Sequence, residues 1–174
     1  SSVIGEKLNK ESYFFFLKHL VFVVIALIII FFISLQKREI IKAYLPYFFL
    51  ISLLILFLVP FIGTEVRGAK RWLDIPLLPR FQPIEILKPF FILILAQIIS
   101  SQIIHNLYKK YFYTLVVLSV VLFLLIIQPD LGQSVLLFSS WLIMLFSSGI
   151  NFIILGIFFL ICVLIFVSIL FFFP

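Results

Sequence analysis

Six apolar runs of about 16–22 residues, separated by short polar links, decide most of what this chain can become. A helix that crosses a bilayer needs about 20 mostly apolar residues. The runs 20–35, 43–62, 83–104, 112–127, 133–148 and 152–173 are each read as one span. Lipid offers the backbone no hydrogen bonds, so each run must satisfy its own as a helix. The expected fold is therefore all-α: a polytopic transmembrane helical bundle, with one membrane domain over residues 1–174.

Composition closes the alternatives. Of the 174 residues, 65% are hydrophobic and only 11% are charged, against about 25% charged in a soluble domain. That excludes a soluble enzyme or nucleic-acid module, and the long apolar stretches exclude disorder. The formal net charge of +6 comes from 13 Lys/Arg against 7 Asp/Glu. In a membrane chain such an excess suits anionic headgroups or an anionic lipid-linked substrate, not nucleic acid. Cys162 has no second cysteine to bond with and reads as a small buried hydrophobe. The chain opens on Ser1 and stops at Pro174 beside an apolar run, so it is read as a piece of a longer membrane protein, incomplete at both ends.

Counting spans puts the links 36–42 and 105–111 on one side, with five Lys/Arg. The other side carries seven, namely Lys7, Lys10, Lys18, Arg67, Lys70, Arg71 and Arg80. Cytoplasmic loops are the basic ones as a rule, which by count alone puts the long polar loop 63–82 inside. His19 and His105 fall at opposite ends of the bundle, too far apart to share a metal. No metal-ligand set, Gly-rich phosphate loop or nucleophile elbow is present. A divalent cation is the one cofactor left open.

Against the apolar background three polar stretches stand out. In Gly68-Ala69-Lys70-Arg71-Trp72-Leu73-Asp74 two adjacent cations precede an interfacial aromatic. Arg and Lys can hold phosphate oxygens, and they can equally flank a belt tryptophan and snorkel. In Gln82-Pro83-Ile84-Glu85-Ile86-Leu87-Lys88-Pro89, Pro83 suits the first helical position. Glu85 and Lys88, three apart, share a helix face and can pair. A Lys at that depth marks a polar cavity or a partner, or else snorkels while paired with Glu85 for insertion only, and Pro89 predicts a kink at Lys88. In Gln128-Pro129-Asp130-Leu131-Gly132, Asp130 either caps the following helix or presents a carboxylate to a cavity for proton transfer, metal binding or pairing with Lys88. The ends carrying Arg71, Glu85, Lys88 and Asp130 fall on one membrane side. The Ser/Gly set 139, 140 and 147–149 reads as close helix packing.

These three stretches, in this order and at these places between spans, resemble the SEDS family of FtsW and RodA. The resemblance covers essentially the whole chain and sits slightly nearer to FtsW. It implies a bacterial inner-membrane protein of about ten spans that polymerises lipid II into glycan strands. The implied activity is that of a peptidoglycan glycosyltransferase, in cell division or cell-shape maintenance. The implied partners are a class B penicillin-binding protein and other divisome or elongasome membrane proteins. It places loop 63–82 in the periplasm, against the charge count, with one span before Ser1. It also places the family's proposed catalytic aspartate in a loop after the sixth span, so that this chain by itself is expected to be inactive. Carried over to this sequence, it implies Lys88 and Asp130 as catalytic, with Arg71, Lys70, Gln82, Glu85 and Gln128 binding substrate. Two positions depart from the family pattern: Ile84 stands where a small residue is usual, and Pro76 where Gly is common. A lipid II flippase would use the same polar cavity, whereas a non-catalytic membrane scaffold of the division machinery would have no use for its buried charges.

Overall fold

The computed structural model describes residues 14–66, 68–74, 80–150 and 156. Within them the order is α1 (Phe14–Ser34), α2 (Arg38–Ile62), β1 (Thr64–Val66), β2 (Ala69–Trp72), α3 (Pro83–Ser100), α4 (Leu107–Ile127) and α5 (Leu131–Ser147). The chain is a membrane helical bundle. Helices α2, α3 and α4 are long and apolar enough to cross a bilayer, while the apolar stretches His19–Ser34 and Leu131–Ser147 are shorter. The expected sixth span, 152–173, lies outside the described residues apart from Gly156.

The chain divides into two units, up to Ala43 and from Tyr44 onward. In the first, α1 is an apolar helix whose described side chains are exposed all round, as suits contact with lipid. In the second, each helix turns one stripe inward. On α2 the stripe is Leu45, Phe49, Leu56 and Val59. On α3 it is Ile84, Leu87, Phe91, Ile94 and Leu95, on α4 Leu118, Val121, Leu124 and Leu125, and on α5 Leu137, Trp141 and Leu145. The spacings of three, four and seven are those of a single helix face. The outward faces are equally apolar, because their solvent is hydrocarbon. Within this core Trp141 Nε1 donates to Thr114 Oγ1 at 3.1 Å, and Thr114 Oγ1 in turn donates to the Tyr111 carbonyl at 2.8 Å.

Boundaries differ from the sequence expectation where local chemistry outweighs hydropathy. Helix α4 starts at Leu107, not 112, because the Asn106 side chain accepts from Tyr108 N at 2.9 Å and caps it. Lys109 and Lys110 therefore belong to its first turn, and Lys110 Nζ donates to the Ile99 carbonyl at 2.9 Å, at the end of α3. Helix α3 stops at Ser100, four residues short of the apolar run. Helix α2 starts at Arg38, which moves Pro46 from the first turn into the interior. Helix α3 also runs on through Lys88 and Pro89 with Lys88 helical, despite the local preference against it.

The long polar loop is not featureless. Strands β1 and β2 pair antiparallel with Val66 opposite Ala69 and Glu65 opposite Lys70. Gly68 turns the chain with φ +79°, a conformation that costs glycine little. Leu73 and Phe81 then exchange backbone hydrogen bonds of 2.9 and 3.2 Å, which returns the chain to α3. At the foot of the hairpin, a Cβ on Gly63 would come within 2.4 Å of the Val59 carbonyl oxygen. That oxygen belongs to α2's own last turn, so only glycine lets the helix end this way, and the Trp72 carbonyl of β2 would lie 3.3 Å from the same Cβ.

The core hydrogen bond gives a first test. Thr114→Val in the full-length protein keeps the shape but removes the Oγ1 that accepts from Trp141 Nε1. It should cost about 1–2 kcal/mol, the range for hydrogen bonds between membrane helices, read as a lowered thermal unfolding midpoint in detergent.

Candidate functional site

The site forms where the hairpin, the start of α3 and the α4–α5 turn meet. It begins with carbonyls that lack donors. Pro60 has no N–H, so the Leu56 carbonyl four residues earlier in α2 loses its helical partner. Gln128, 3% exposed, supplies the replacement: its Nε2 donates to Leu56 O at 2.9 Å. The end of α4 then leaves its own last carbonyls open. Arg71, projecting from β2, takes the C-cap carbonyl and the next one in the turn, with Nε on Gln128 O at 3.3 Å and Nη2 on Pro129 O. Its Nη1 lies 3.7 Å from Asp130 Oδ1. A planar guanidinium spreads five donors over a fixed fork and so reaches three acceptors spaced along the turn, where an ammonium is a compact point charge.

Asp130 is the N-cap of α5 and is 5% exposed. Its Oδ2 accepts from Gln82 Nε2 at 2.7 Å. Its Oδ1 faces Arg71 and the Gln133 backbone N–H, the latter at 3.5 Å. Ser134 donates to its carbonyl through both N and Oγ. Two α3 residues complete the cluster. Lys88 Nζ sits 2.6 Å from Glu85 Oε2, an i,i+3 pair in which the Lys side chain is 20% exposed and the Glu 52%. Gln133 Nε2 donates to the other oxygen, Glu85 Oε1, at 3.2 Å.

Of the seven residues expected at the site, six enter one connected set: Arg71, Gln82, Glu85, Lys88, Gln128 and Asp130. Lys70 does not. Alternation along β2 turns it outward, opposite Glu65 in the ladder, while Arg71 points in. Lys88 pairs with Glu85, and the ion pair of Asp130 is with Arg71. Two residues were missed by reading the sequence. Gln133 links Asp130 to Glu85. Its signal was its place three residues after a capping aspartate, where a side chain reaches back or across. Arg80 donates to Asp74 Oδ2 at 2.8 Å, and it lines a recess of about 540 Å³ with Val66, Arg71 and Trp72. Its signal was the opposite charge six residues away, on a loop that closes on itself. Among the described residues no three His, Cys, Asp or Glu side chains gather as a metal site.

Comparison with known proteins agrees with this arrangement of motifs. A family model described as a cell cycle protein, FtsW/RodA/SpoVE, matches residues 1–173. The probable peptidoglycan glycosyltransferase FtsW of Escherichia coli O6:H1 is 32% identical over 151 residues, which is 86% of this chain and 36% of that protein. The peptidoglycan glycosyltransferase MrdB of E. coli K12 is 34% identical over 116 residues, 67% of this chain and 31% of that one. A chain solved in a study of polymerization and crosslinking by a peptidoglycan synthase complex superposes with a TM-score of 0.76 at 25% identity. That match covers 88% of this chain and 46% of the other. The present chain thus spans about a third of the length of these curated relatives.

The exchange of donors at Leu56 can be tested as a double-mutant cycle in the full-length protein. Gln128→Leu should cost about 1 kcal/mol or more, because it strands the Leu56 carbonyl in the bundle. In a Pro60→Ala background residue 60 regains its N–H, and the same substitution should cost clearly less. Equal costs in thermal unfolding would show that Gln128 does not serve that carbonyl.

Proposed function

Because the chain belongs to the FtsW/RodA/SpoVE family of cell cycle proteins, we propose that the protein it comes from is a peptidoglycan glycosyltransferase that polymerises lipid II. The observation that carries this reading is the Glu85–Lys88 pair. It is an ionic couple on a membrane helix, with Lys88 about 8 Å past the helix start at 1.5 Å per residue, and not fully enclosed. Intramembrane charges are expensive and mark substrate paths.

The chemistry suits such a couple. Glycosyl transfer breaks the bond between the donor sugar's anomeric carbon and its diphosphate, and forms one to an acceptor hydroxyl. Negative charge grows on the leaving diphosphate, and a cation held in place stabilises it most in the transition state. In this reading Lys88 is the cation that meets the diphosphate, and Glu85 orients it. Lys70, outward on the hairpin, attracts the headgroup at longer range. Gln82, Arg71, Gln128 and Asp130 shape the cavity wall. Both carboxylate oxygens of Asp130 are engaged, which takes it out of general-base duty. The hydroxyl proton goes instead to the family's proposed loop aspartate.

In the same reading the protein lies in the bacterial inner membrane with the hairpin on the periplasmic side, where glycan is built. A class B penicillin-binding protein is the proposed partner, in keeping with the synthase complex that the fold matches.

The test is the full-length protein with its transpeptidase partner in vesicles, supplied with lipid II. Glycan strands should lengthen, and Lys88→Ala should reduce the rate at least a hundredfold while leaving the unfolding midpoint near that of the wild type, about the loss seen when one transition-state charge contact is removed. Lipid II that crosses the bilayer without chain growth would replace this reading with a flippase. Undiminished synthesis in Lys88→Ala would remove the residue from the site.

A further inference from the structure

Gln133 occupies the third position of α5 behind the capping Asp130, the Asp-x-x-Gln spacing of a capping box. In such a box the Gln side chain returns to the backbone N–H of the cap. Here that N–H is already used: Asp130 N donates to Leu125 O at 2.9 Å, which closes the α4–α5 turn. The Gln133 side chain is thereby released from its local duty, and it reaches across to α3, where Nε2 donates to Glu85 Oε1. The two oxygens of Glu85 then have separate partners, Gln133 on one and Lys88 on the other. The reach has a cost, for Gln133 Oε1 is buried and meets no donor among the described residues, a state that ordinarily destabilises a fold.

We propose that Gln133 is a positioning residue. It fixes the Glu85 carboxylate, and through it the direction in which the Lys88 ammonium is presented to an anionic lipid-linked substrate. This deepens the polymerase reading and rests on it. Without Gln133 the carboxylate turns about its side-chain torsions and Lys88 follows it, so the ammonium loses orientation but not charge. Substrate capture, which needs only the charge, is then largely kept, and the chemical step, which needs the direction, is slowed.

The experiment uses the full-length protein with its partner and lipid II. Gln133→Ala should lower kcat about tenfold, the equivalent of one hydrogen bond to a charged group, with KM within about twofold and the unfolding midpoint retained. In a Glu85→Ala background it should produce no further loss, since Gln133 acts only through that carboxylate. Gln133→Glu, which sets like charges together, should be worse than Gln133→Ala. An unchanged kcat in Gln133→Ala overturns the proposal, and so does an equal loss in the Glu85→Ala background.

A second measurement does not depend on turnover. Acylation of Lys88 by an amine-reactive ester, followed by peptide mass spectrometry with Lys70 as internal reference, should be severalfold faster in Gln133→Ala. Equal rates overturn the proposal. If the wild type makes no glycan, the polymerase reading fails, and the acylation rates still decide whether Gln133 holds the pair.

Discussion

A proline inside a membrane helix leaves a carbonyl that no water can reach, and the head of this bundle is organised around that debt. Pro60 opens the Leu56 carbonyl, Gln128 answers it from the α4–α5 turn, and the turn's own open carbonyls are answered by Arg71 from the hairpin. Each donor comes from a different element. Satisfying α2 therefore ties α2 to α4, and satisfying α4 ties it to the loop. Gln128, Arg71 and Asp130, which look like part of a substrate site in the sequence, serve first as partners for backbone groups. The cavity wall and the hydrogen-bond accounting are one structure.

This explains which parts were legible in the sequence. Hydropathy runs give the helices, because lipid requires them, and the Glu85–Lys88 pair follows from helical periodicity alone. The ends of helices were less legible. Asn106 and Lys110 settle the start of α4 and the end of α3 through single hydrogen bonds that no apolar count detects. The hairpin was hidden in a stretch too polar and too short to show strand alternation. Lys70 and Arg71 appeared equivalent as neighbours, until a strand sent one outward and the other to three acceptors. Gln133 escaped notice because its role depends on Asp130 N having another partner, a fact of tertiary structure.

The charged members divide into two couples that cancel: Arg71 with Asp130, and Lys88 with Glu85, two cations and two anions. The site is formally neutral although the chain is basic. An anionic headgroup therefore meets no standing excess of charge here, and the long-range attraction must come from residues outside the couples, such as Lys70. On the proposed function, selectivity at the site depends on which couple can still take up an anion.

The two couples differ in that respect for a physical reason. Asp130 is enclosed, held by Gln82 on one oxygen and by Arg71 and a helix N-terminus on the other. Removing its partner would strand a buried charge, which is costly. Glu85 has about half its side chain exposed and lies in the first turn of α3, so it depends on its partner less than Asp130 depends on Arg71. On the proposed function a diphosphate can add to the remaining ammonium donors of Lys88, and it cannot displace Asp130 from Arg71. In that reading the fixed couple keeps its place, and the half-exposed couple meets the substrate with Glu85 still orienting Lys88.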